Sequence, residues 1–140
     1  MAYVTGGALA AAVSRAGGLG IVGRGYAGTV GGEPDLETEL AQANSGKFGV
    51  GFITWALERA PKMLTKALQY SPVCVFLSFG DPSPFAAGIT KVGAVLICQQ
   101  LGTNSLSPCG FEERKEPERR RPGSINWNAI YCLRFTPAPP

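Results

Sequence analysis

Thirteen lysines and arginines against ten acids leave the 140-residue chain a net charge of +3, and charged residues make up only 16% of it. So small an excess excludes the basic footprint of a nucleic-acid binder, and no apolar run is long enough to span a bilayer. With no charged-then-apolar leader at its start, the chain is expected to be a soluble, cytoplasmic protein of one ordinary domain, with no nucleic-acid or membrane partner.

The opening residues Met1 to Thr5 read as the exit of a strand. Ala8, Leu9, Ala12, Val13 and Ala16 then recur at helical spacing and predict a helix that packs this stripe on a sheet. Gly17 and Gly18 supply the left-handed turn that stops it. Leu19 to Val22 reads as a short buried strand, with Gly23 and Gly25 behind it where the backbone turns or approaches something closely. Gly18, Gly20 and Gly23 formally match the dinucleotide-binding fingerprint, but that motif must follow a strand and open a helix. Here a helix comes first and a strand second, so a tight helix-to-strand turn is preferred over a nicotinamide site.

Gly28 to Gly32 form a loop. Pro34 sits where a first helical position would be, Asp35, Glu37 and Glu39 favour a helix N-terminus, and Leu36, Leu40 and Ala43 supply its apolar face. Phe48 to Trp55 is the next strand. Pro61 opens a helix carrying Met63, Leu64, Ala67 and Leu68. Val73 to Phe79 is continuously apolar, as expected of a strand covered on both faces. A helix over Pro84 to Val92 and a strand over Ala94 to Gln99 complete the pattern.

Strands alternating with helices imply an α/β fold with a parallel sheet. Ligands collect at the carboxyl ends of such strands. The candidate site residues are therefore Met1, Ala2, Gly23 to Gly25, Gly51 to Thr54, Ser78 to Asp81 and Gln99. Cys74 and Cys98 lie in apolar runs and read as small hydrophobes. Cys109 and Cys132 have no close-spaced partner, and a chain without histidine offers no zinc pattern, so no metal is expected.

The segments MAYVTGGALAAAVSRAGGLGIVGRGY, GKFGVGFITW, VCVFLSFGDP and AVLICQ resemble the N-terminal half of the nitronate monooxygenases, also called 2-nitropropane dioxygenases. The resemblance implies a partial (β/α)8 TIM barrel with parallel strands alternating with helices, FMN as cofactor, and oxidation of alkyl nitronates by molecular oxygen. It also implies cofactor-binding positions. Met1 and Ala2 match the end of a strand that lies against the flavin. Gly51 stands where many relatives carry an asparagine that bonds the cofactor, and Gln99 falls at a strand exit whose polar side chain faces the ring. Room for packing at Gly51 and a solvated strand end at Gln99 are the competing readings.

No catalytic residue is assigned, because the family's base is a histidine. The resemblance stops after Gln99, so residues 1–99 are expected to form a partial FMN-binding barrel domain and 100–140 a divergent tail rich in proline and charge, disordered or irregular. Within that tail EERKEPERRR reads as a solvated segment, and Asn126 to Phe135 as a strand or an adhesive patch. Such a loss of pattern suits a truncated or frame-shifted product. A non-catalytic fragment, self-associating through open sheet edges, is the alternative to an enzyme.

Overall fold

The computed structural model describes residues 4–27, 35–44 and 46–100, together with the backbone of 112–113 and 129–134. The first helix, α1 (Gly7–Arg15), ends on Gly17 at φ +86°. Gly17 N–H donates to Ser14 O at 3.1 Å and Gly18 N–H to Val13 O at 3.0 Å. This is the paired closure that a left-handed glycine permits, and it turns the chain directly into β1 (Gly20–Gly23).

The helix α2 (Leu36–Ala43) opens on Asp35, whose carboxylate accepts from Thr38 N–H at 2.9 Å. Its first helical residue is thus Leu36; Pro34, expected at that position, lies outside the described residues. The strand β2 (Phe48–Ile53) stops two residues before Trp55, because Thr54 already begins the short helix α3 (Thr54–Arg59). The helix α4 (Lys62–Leu68), the strand β3 (Cys74–Ser78), the helix α5 (Ser83–Lys91) and the strand β4 (Val95–Gln100) follow within a residue or so of the expected limits.

The strands β1, β2, β3 and β4 lie side by side and parallel. Two further strands, β5 (Glu112–Glu113) and β6 (Ala129–Arg134), extend the sheet in the order β1-β2-β3-β4-β6-β5. The strand β6 falls within the stretch read as strand or adhesive patch, and it pairs with β4 antiparallel, Ile97 opposite Cys132.

The two faces of the parallel sheet differ. Val22, Val50, Phe52, Val75, Leu77, Leu96 and Cys98 alternate onto one face and are sealed in the core. Leu40 and Ala43 of α2, Leu64 and Ala67 of α4 and Ile89 of α5 belong to the same core. Ile21, Ile53, Phe76, Val95 and Ile97 alternate onto the other face and are only half-buried. The run Val73 to Phe79 is therefore covered completely on one side alone.

One expectation is reversed at α1. Its larger apolar residues face outward, with Leu9 50% and Val13 38% exposed, while Gly7, Ala10 and Ala11 are buried. Close approach explains the choice. A Cβ at Gly7 would fall 1.9 Å from Glu39 O, and one at Gly20 would fall 1.9 Å from Ala10 O. The helix presses on α2 and β1 with the side that has least bulk, which carries the larger side chains away from the core.

Candidate functional site

Backbone hydrogen bonds carry the β1–β2 pairing past the end of β1. Arg24 N–H donates to Gly51 O at 2.8 Å, and Ile53 N–H donates to Gly25 O at 2.7 Å. The glycine-rich exit of β1 is thereby fixed beside the carboxyl end of β2. Register then sets the cross-strand rows: Gly23, Gly51, Phe76 and Ile97 form one, and Ile53, Ser78 and Gln99 the next toward the carboxyl edge. Because side chains alternate along a strand, both rows belong to the half-buried face.

Gly51 and Gln99 share that face. They stand two strands apart, which at the usual strand spacing is roughly 10 Å. Gly51 is buried and Gln99 half-buried. Gly23, Gly49 and Gly51 all lie on this side of β1 and β2; Cys74 Sγ and Ile21 fill the space beside Gly49, and Gly51 is buried. Met1 and Ala2 lie outside the described residues.

Polar groups cluster at the same edge. Ser78 Oγ donates to Phe52 O at 3.4 Å across β2 and β3. Thr54 is fully buried, and among the described residues its Oγ1 has no hydrogen-bond partner. Arg24 is buried too, at 6% exposure, close enough to Asp35 to help hold its carboxyl down, behind the dominant Thr38 bonds. Asp81, beyond β3, is held below the usual carboxylate range first by the Ser83 hydroxyl, 2.6 Å away, and then by Ser83 N–H.

Aromatic side chains follow three successive strand exits: Tyr26 after β1, Trp55 after β2 and Phe79 after β3. Tyr26 meets Trp55 edge-on with ring centres 6.0 Å apart, and the Arg59 guanidinium sits 5.3 Å from the centre of the Trp55 ring. Phe79 is 49% exposed and has φ +60°, a region costly for a bulky residue. Tyr26 and Trp55 were not singled out by the sequence argument. The apolar run of FGVGFITW counts Trp55 into the strand, whereas it stands in α3; the signal that finds it is an aromatic just past each glycine-bearing exit.

Among the described residues no three histidine, cysteine, aspartate or glutamate side chains gather as a metal site, and no helix is long and apolar enough to cross a membrane.

No family model matches the chain, and no curated protein matches it. The fold is similar to the solved structure of FabK from Thermotoga maritima, with a TM-score of 0.52 and 29% sequence identity over 69% of this chain. The fold is a partial TIM barrel. This partial barrel spans 30% of the FabK chain. Its half-buried face corresponds to a barrel interior, and its carboxyl edge to the end where barrels place their sites.

Proposed function

We propose that this chain forms part of the flavin-binding wall of an FMN-dependent oxidoreductase that acts on alkyl nitronates with molecular oxygen. One observation carries the reading: the glycine-lined patch at the carboxyl edge, with Gln99 on the same face two strands away. A planar cofactor needs backbone it can approach closely, and a strand glycine provides it. The residues present fit that need. Gly23 and Gly51 would lie against the ring, Gln99 would offer it an amide, and residues 1–99 would make up the part of the cofactor domain that this chain supplies. The likeness to FabK supports the barrel fold on which the reading depends.

When bound, FMN accepts electrons from the substrate and passes them to oxygen. The chain's own task is to position and to exclude water. The sealed core behind β1 to β4 holds the strand exits rigid, and Ile53, Phe76 and Ile97 present an apolar surface on the opposite face. A nitronate is already the conjugate base of a nitroalkane, so its oxidation requires no proton to be removed from carbon.

Oxygen uptake in the presence of FMN and an alkyl nitronate tests the reading. Consumption above a protein-free control is expected. Retention of FMN with no uptake would remove the nitronate assignment and leave a flavin-binding wall.

A second reading, a non-catalytic chain that associates with itself, is favoured by the outer face of α1, where Leu9 and Val13 stand exposed with no charge between them. Sedimentation would then show an oligomer that Leu9→Glu dissociates. A monomer at all concentrations would remove that reading.

A further inference from the structure

We propose that the rim formed by Tyr26, Trp55 and Phe79 is a subsite for the aryl group of an anionic ligand, with the anion paired to Arg59. The assignment goes beyond the functional reading above, whose alkyl nitronate carries no aryl group, and rests only on its choice of the carboxyl edge as the ligand edge.

Three independent features meet on this rim. First, Trp55 and Phe79 are 39% and 49% exposed, although both are large rings at the edge where sheets of this kind collect ligands. Second, the turns that carry the rim hold strained backbone: Phe79 has φ +60° and Ala27 φ +51°. Such strain concentrates at binding sites, and two of the three non-glycine residues with positive φ among the described residues fall here, the third being Ser71 before β3. Third, Thr54, which opens α3 immediately before Trp55, is fully buried, and among the described residues its hydroxyl has no hydrogen-bond partner.

The pieces are contiguous. A Cβ at Gly80 would stand 2.7 Å from Thr54 Cβ and 3.3 Å from Trp55 N, so the turn after Phe79 rests on the start of α3. Tyr26 reaches the same indole from the β1 side.

Charge selects the ligand's polar end. The Arg59 guanidinium lies over the Trp55 ring and is exposed, so a carboxylate can pair with it while an attached arene packs on the uncovered part of the indole and on Phe79. Asp81, two residues after Phe79, is occupied by Ser83. Glu58, adjacent to Arg59 on α3, projects about 100° away around the helix.

The test is a calorimetric titration of the full chain with sodium 2-naphthoate, with and without FMN present. Saturable binding is expected, weakened at least tenfold by Trp55→Leu and by Arg59→Ala. Arg59 is exposed on a helix surface, so its variant should keep the native circular dichroism even if the Trp55 variant does not. No binding by the wild-type chain, or binding that Arg59→Ala leaves unchanged, overturns the subsite. Naphthoate binding without FMN retention supports the rim while counting against the flavin wall. FMN retention without naphthoate binding does the reverse.

Discussion

At Gly20 a single hydrogen separates the native packing from a steric clash. The obstacle to a side chain there is the carbonyl oxygen of Ala10, 1.9 Å from where a Cβ would stand, and helix backbone cannot swing aside as a side-chain tip can. Gly20→Ala should therefore destabilise the fold by about 3 kcal/mol. Gly88 makes the opposite case. It lies inside α5, with no atom within 4 Å of its added Cβ. Gly88→Ala should stabilise by about 0.5–1 kcal/mol. Urea denaturation of the two variants checks both signs together. Thr54 belongs at this scale too. Its Oγ1 is buried without a partner, so Thr54→Val, which keeps the shape and removes the hydroxyl, should leave stability unchanged or raise it by up to about 1 kcal/mol. A clear loss would show that the hydroxyl is engaged in the folded protein.

Among the elements, α2 depends on its first residue. The Thr38 N–H, and after it the Thr38 hydroxyl, hold the Asp35 carboxyl below its ordinary value. A carboxyl whose value is lowered by folding stabilises above the unfolded-state value, and the contribution disappears as pH falls through the lowered one. Asp35→Ala should therefore melt at a lower temperature than the wild type at neutral pH, with the gap closing in acid. A gap independent of pH would contradict the cap. The nearby Lys66–Glu37 pair, 2.7 Å apart and half exposed on both sides, joins α4 to α2 and adds little by comparison.

Element by element, the sequence was legible where a local rule decided. Gly17 stopped α1, Asp35 marked α2, and apolar runs bounded by proline or glycine located β3 and β4. It misled where tertiary contact decided. The stripe of Leu9 and Val13 has helical periodicity, yet the glycines at 7 and 20 dictate which side of α1 can approach its neighbours. Trp55 looked like strand because FGVGFITW is apolar throughout, whereas the helix begins at Thr54. Of the candidate cofactor positions, register places Gly51 and Gln99 on one face, a relation that no local pattern encodes.

Across the whole molecule, four parallel strands have one face sealed by helices and one half-covered face that corresponds to a barrel interior. Rigidity comes from the sealed face, and the glycines of the other keep its backbone close to whatever covers it. The antiparallel β6 adds a strand beyond β4, so the sheet extends past the parallel units along that edge. The partial barrel spans 30% of the FabK chain, and the proposed flavin wall depends on the geometry of its carboxyl edge. The most direct measurement is the visible absorption spectrum of the purified chain after incubation with FMN and removal of free dye by gel filtration. A bound-flavin band in near one-to-one ratio is expected, lost on Gly51→Leu, whose side chain would project from the face proposed to meet the ring. A folded, soluble sample that keeps no flavin would contradict the proposed flavin wall.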